Sequence, residues 1–209
     1  QAVALSRLLK SEGSFDILAA TLNNEGPLAS EMAEAGFADI PEFKLDSFYD
    51  ADFVRQVCRC AGWLREQKID IIHTHDFYTN VFGMAAATLA RVPVRIAAKR
   101  ETGMRSRSQR FVERVAFSRA HAVVANSIAV RSMLTGSGVP GAKIRVIYNG
   151  LDLSRFQADA STAEVRRQYR LPENDSVRIV TLVANLRHGV KNIPMLLHAA
   201  KRVVETTDE

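Results

Sequence analysis

The residues best suited to chemistry stand directly after apolar runs. The first set is His73-Thr74-His75-Asp76, which ends the run Ile69-Asp70-Ile71-Ile72. Alternation along a strand puts His73 and His75 on one face. Three readings of the pair compete. His75 lines a substrate cleft at the strand's carboxyl end, or the two imidazoles bind zinc, or both rings are structural. A zinc hydrolase draws further ligands from a barrel of about 250 residues, and this chain has 209. The remaining histidines, His121, His188 and His198, do not follow a strand end in a suitable way. The cleft reading is preferred, and the other two stay open.

The second set is the basic segment from Lys99 to Arg110, rich in arginine and serine. Arginine pairs bidentately with phosphate or carboxylate. The segment reads either as a clamp for an anionic sugar, a lipid phosphate or a membrane surface, or as a solvated loop. Lys99 and Arg100 lie nearest the strand end and are the candidates for the clamp. Nucleic acid is disfavoured, because no aromatics interleave for base stacking. The third candidate is Lys191, just before the last helical pattern. A lysine there is unfavourable against the positive end of a helix dipole. A bound diphosphate would reverse that; otherwise Lys191 is a surface residue. Cys58 and Cys60 lie two apart on a helical pattern, point to different sides, and suit neither a metal nor a disulfide.

The elements that must position these residues follow from periodicity. Strands are expected at Phe15–Thr21, weakly at Ile40–Leu45, at Ile69–His75, Val92–Ala98, His121–Ala125, Lys143–Tyr148 and Val177–Ala184. Helical patterns fall between them: Gln1–Ser11, Leu28–Ala35 stopped by Gly36, a stretch through Phe53, Val57, Ala61 and Leu64, then Tyr78–Ala90, Gln109–Arg119 and Ile128–Thr135 capped by Ser127. Further helices are expected at Ala163–Tyr169 and after Asn192. Strands that alternate with helices make a doubly wound α/β parallel sheet with right-handed crossovers. Ligands of such sheets bind beyond the strands' carboxyl ends. Asn149-Gly150, a pair that tolerates positive φ, reads as a sharp turn at a strand end, and Asp152 as a cap on a short helical turn. These three residues form the expected hinge.

The net charge of +5 favours anionic partners without choosing among them. The longest apolar run, Val81 to Ala90, is too short for a bilayer span of about 20 residues. No signal peptide is read at the start of the chain. A dehydrogenase is disfavoured, because no Gly-x-Gly-x-x-Gly follows a strand.

Two of these stretches together carry a resemblance. Val146-Ile147-Tyr148-Asn149-Gly150-Leu151-Asp152 with Phe156, and Asp70-Ile71-Ile72-His73-Thr74-His75, resemble the junction and the Asp-x-x-His-x-His strand of retaining glycosyltransferases of family 4. Those enzymes have the GT-B fold, two Rossmann-like domains around a cleft. The resemblance implies an acceptor-side domain at 1–148, a junction at 149–175 and the opening βα unit of a donor domain at 176–209. It implies that His75 faces the sugar cleft and hydrogen-bonds hydroxyls, and that the region of Lys99 and Arg100 meets the acceptor. Lys191 matches the family's diphosphate-binding lysine. Asn185 stands where the family has an arginine and Asn192 where it has a glycine, so Arg187 is the expected compensating cation.

The implied reaction moves a sugar from a nucleoside diphosphate sugar to a hydroxyl of a sugar, polyol or lipid-linked glycan, with retention. It needs neither a metal nor a cofactor. Envelope polysaccharide or glycolipid synthesis is the family-level expectation, in the cytoplasm or peripherally at the inner face of the membrane. The family's first strand with its glycine-rich loop is expected before Gln1, and its paired glutamates beyond Glu209. The 209-residue piece alone is therefore expected to be inactive. The alternative is a non-catalytic sugar- or nucleotide-binding module of the same fold.

Overall fold

The computed structural model describes every residue except 38, 104, 152, 154–160, 175–176, 185–190 and 207–209. The chain divides into two compact units, Gln1–Leu151 and Asp152–Glu209.

The first unit is built on a four-stranded parallel sheet in the order β1-β2-β3-β4. The strands are β1 (Ile71–Thr74), β2 (Val94–Lys99), β3 (Ala122–Ala125) and β4 (Ile144–Val146). The crossover helices are α4 (Phe77–Ala90), α5 (Arg107–Arg119) and α6 (Ile128–Gly136). Strands in sequential order with right-handed crossovers put all three on one face. Before them come α1 (Ala2–Glu12), α2 (Pro27–Glu34) and α3 (Ala51–Glu66), the last packed against α4.

The starts of α3 to α6 have a local cause. Asp50, Asp76, Ser106 and Ser127 each accept a hydrogen bond from a free N–H of the first turn. Gly36 follows α2 at φ 82°, a conformation that suits glycine. Two apolar clusters meet at α4. Met84 joins Phe117, Val123, Leu134 and Ile144 between helices and sheet. Phe82 and Ala86 join Phe43, Val57 and Leu64 beneath α3.

The contact between α4 and β1 leaves no spare room. A Cβ on Gly83 would stand 2.6 Å from Thr74 Cγ2. Thr74 cannot turn away freely, because its Oγ1 bonds Asn80 Oδ1 at 2.6 Å, while Asn80 Nδ2 donates to Ala98 O at 2.9 Å. Gly83→Ala should therefore destabilise the chain by about 1–3 kcal/mol. Adding Thr74→Ser removes the offending methyl group and should recover most of that loss. Urea unfolding of the two variants checks both statements.

Three expected strands do not form ladders. Phe15–Thr21 and Ile40–Leu45 meet only in a single parallel bridge, Thr21 to Glu42. Val177–Ala184, expected to be buried, has no strand partner among the described residues, and Val180 and Val183 are exposed. A parallel strand is held by its neighbours, and apolar composition alone does not supply one. At Asn149-Gly150 neither residue takes the positive φ that the pair tolerates.

The second unit contains α7 (Thr162–Gln168) and α8 (Ile193–Thr206). Ser161 and Glu164 form a reciprocal cap at the start of α7. No helix among the described residues is long and apolar enough to cross a membrane.

Candidate functional site

Side chains alternate along a strand, so neighbouring residues face opposite sides of the sheet. Thr74 and Lys99 turn toward the helices, where they meet Asn80 of α4 and Glu113 of α5. His73, His75 and Arg100 therefore share the other face. Their rings and guanidinium meet at the carboxyl end of β1 and β2.

Arg100 joins the strand ends. Its Nη2 lies 3.1 Å from His75 Nδ1, and its Nη1 reaches Asn149 Oδ1 at 3.5 Å, just past β4. Its carbonyl accepts from Asn126 Nδ2 at 2.9 Å, just past β3. The His73 and His75 rings lie against each other, tilted by 39°, with centroids 4.2 Å apart. Arg100 Nε, His73 Nε2 and Asn126 Oδ1 are buried with no partner among the described residues. Buried polar atoms of this kind are normally satisfied, and all three stand at the carboxyl ends of the strands.

The charge state of His75 follows from its neighbours. Burial, then His73 and Arg100, lower its pKa to about 3. Burial and Arg100 lower that of His73 to about 4. Both rings are neutral at pH 7. A guanidinium only donates, so Nδ1 of His75 accepts and Nε2 carries the proton. His75 is thus a hydrogen-bond donor to a ligand oxygen and not a free base. No third histidine, cysteine or carboxylate among the described residues joins the pair in a metal-ligating group.

The same shifts set an acid response. The unfolded chain binds protons on these rings near the ordinary value of 6.5, whereas the folded chain binds them only near 4 and 3. Between those values the unfolded state holds more protons, so stability falls as pH drops. These groups contribute nothing above about pH 7. Denaturant midpoints should decline from pH 7 to pH 5, and less so in a His73→Gln/His75→Gln variant.

A pocket of about 230 Å³ opens at this edge of the sheet, lined by His75, Asn80, Lys99, Arg100, Arg105 and Glu113 among others. Lys99, expected beside Arg100 as an acceptor ligand, is turned the other way by strand alternation. It is buried, and its Nζ lies 2.6 Å from Glu113 Oε1. It walls the pocket as half of an ion pair. Asn149, expected as a hinge, stands against Arg100. Gly150 accepts from Gln1 Nε2 at 2.8 Å, which brings the start of α1 to the same edge. In the second unit Lys191 is exposed, two residues before α8. Asp152 and Arg187 lie outside the described residues.

Sequence reasoning missed Asn126 and Glu113. Asn126 follows β3 directly, so the strand-end rule could have found it. Glu113 is an acid on the inner side of α5, near the buried Ala116 and Phe117; an acid at such a position needs a cation.

A parallel α/β layer with polar side chains gathered past its strand ends is a Rossmann-like binding unit. The chain belongs to Glycosyltransferase Family 4, whose profile matches residues 2–155. None of the curated proteins compared with it matches. Among solved structures it is similar to HepE of Anabaena bound to UDP and glucose, with a TM-score of 0.65 at 18% identity over 81% of this chain and 45% of that one. It is similar to a glycosyltransferase from Rickettsia africae ESF-5, with a TM-score of 0.64 at 17% identity over 82% of this chain and 45% of that one. The lipopolysaccharide outer core galactosyltransferase WaaB follows, with a TM-score of 0.51 at 12% identity over 72% of this chain and 40% of that one. At these identities the likeness is one of fold, the Rossmann-like fold of GT-B glycosyltransferases. The chain spans less than half the length of the structures it matches.

Proposed function

We propose that this chain is the acceptor-side part of a glycosyltransferase that moves a sugar from a nucleoside diphosphate sugar to an acceptor hydroxyl, with retention. The observation that carries the reading is the Arg100–His75 pair: a fixed cation holds a neutral imidazole with its proton on Nε2, beyond the ends of parallel strands. Such a donor suits sugar hydroxyls, which accept as well as donate. Membership of Glycosyltransferase Family 4 supports it, as do the UDP and glucose in the HepE structure.

In the reaction the bond from the anomeric carbon to the diphosphate breaks, a bond to the acceptor oxygen forms, and the acceptor's proton passes to an oxygen of the departing diphosphate. His75 orients a sugar by donating from Nε2. It does not take the acceptor's proton, because Nδ1 is engaged by Arg100. Lys191, with Arg187, would offset the charge on the departing diphosphate, which makes the chemistry metal-independent. The acceptor is a sugar, polyol or lipid-linked glycan of envelope polysaccharide or glycolipid synthesis, used in the cytoplasm or at the inner face of the membrane.

The test is acceptor-dependent release of nucleoside diphosphate by the intact protein, supplied with a panel of labelled nucleotide sugars, with and without chelator. The anomeric configuration of the product is read by NMR. Transfer with retention and without metal is expected, and none from residues 1–209 alone. An intact protein that binds UDP but transfers nothing would be a binding module instead.

A further inference from the structure

The inner side of α5 is set by Glu113, Ala116 and Phe117, which are buried. A helix turns by about 100° per residue, so Phe111 stands almost opposite them, at the centre of the outward side. Phe111 is 68% exposed, and Val115 and Val112 beside it are 44% and 37% exposed. None of the three belongs to either apolar cluster. The fold leaves this ring and its two neighbours in water.

Arginines frame them. Arg107 lies one turn before Phe111, Arg119 one turn after Val115, and Arg110 and Arg114 run along one flank; all four are exposed. No ion pair among the described residues engages any of them. The acid of this helix, Glu113, faces inward to Lys99 at 2.6 Å. The imbalance extends well past α5: residues 102–151 carry eight Lys or Arg, and Glu113 is their one acid. A surface of this kind draws polyanions.

The chemistry of the face selects among occupants. A second copy is disfavoured, because a two-fold contact would set four arginines against four. Nucleic acid would use the cations but stacks its bases on a series of rings, and α5 presents one. An anionic bilayer uses everything present: lipid phosphates take the guanidinium groups, and the apolar centre enters the headgroup–acyl boundary.

We infer that the outer face of α5 docks on an anionic lipid bilayer, with Phe111 and Val115 inserted and Arg107, Arg110, Arg114 and Arg119 on lipid phosphates. The helix runs back from the carboxyl end of β2, so Arg107 and Phe111 stand at its end nearest the strand-end pocket, which Arg105 and Glu113 line. Resting on the glycosyltransferase reading, the contact brings that pocket to the surface that displays a lipid-linked acceptor.

The probe is vesicles of phosphatidylcholine with or without phosphatidylglycerol, sedimented with the intact protein. Binding to the anionic vesicles should be about tenfold or more tighter than to the neutral ones, and should fall as salt screens it. Phe111→Ser/Val115→Ser keeps every charge and should weaken binding about tenfold or more, the scale of lost apolar burial. Arg107→Gln/Arg114→Gln should do the same, since each basic residue is worth about fivefold at an anionic surface. Phe111→Trp should show a blue-shifted emission on anionic vesicles that the parent, with Trp63 alone, lacks. Circular dichroism confirms that the variants fold. The inference is overturned if the protein binds anionic vesicles no tighter than neutral ones, if Phe111→Ser/Val115→Ser binds unchanged, or if a single-stranded oligonucleotide binds tighter than the anionic vesicles. Vesicle binding without sugar transfer would sink only the glycosyltransferase reading. Sugar transfer without vesicle binding would sink only this inference.

Discussion

Glu113→Leu should destabilise the chain by about 3–5 kcal/mol, the cost of leaving a buried charge unpaired. Lys99 and Glu113 are 4% and 7% exposed, and Glu113 is the partner of the Lys99 ammonium. Lys99→Met should cost about as much, because it strands the carboxylate instead. The double variant Lys99→Met/Glu113→Leu replaces both partners with apolar groups of similar size, and should recover most of the loss. Native domains have only about 5–15 kcal/mol of stability in hand, so either single change should shift the urea midpoint plainly. A single variant that unfolds within about 1 kcal/mol of the parent would mean that water reaches the pair and screens it.

The second large effect is expected at Arg100. On the proposed function, Arg100→Ala should lower sugar transfer by the intact protein by about 10²–10³-fold, the scale seen when one preorganised donor is removed from a reaction site. The reason is positional. Without Arg100, His75 Nδ1 loses the partner that sets its tautomer and Asn149 loses the contact that ties the end of β4 to β2, whereas Asn126 keeps its bond to the backbone carbonyl of residue 100. Arg100→Lys should recover little, because one ammonium cannot span His75 and Asn149 as the planar guanidinium does. An independent readout is the titration of His75 by NMR. Its pKa should rise in Arg100→Ala from about 3 toward the ordinary 6.5, and stop short of it because burial is the larger cause. A His75 that titrates unchanged would show that the contact does not persist in solution.

Much of the first unit was legible without coordinates. The apolar periodicity from residue 51 onward locates α3 to α6 and β1 to β4, since each crossover is a local pattern. Of the caps, Ser127 was read from the sequence; those at Asp50, Asp76 and Ser106 are as local but came from the structure. The resemblance to family 4 stood on two short stretches, and the family match covers both except for Phe156. Strand pairing was not legible. Phe15–Thr21, Ile40–Leu45 and Val177–Ala184 have strand-like composition, but a ladder depends on a neighbour that no local window contains.

The site divides in the same way. The sequence by itself placed His75 and Arg100 at strand ends, because polar residues after apolar runs are visible one at a time. Only the tertiary structure decided that Lys99 and Arg100, adjacent in the chain, have opposite fates. Alternation sends Lys99 to Glu113 inside the helical layer, and sends Arg100 to His75 on the other face. It also decided that Asn126 and Asn149 gather around Arg100, since parallel strands bring residues from far along the chain to one edge. Local pattern sets what each residue can be; the register of the sheet sets what it touches.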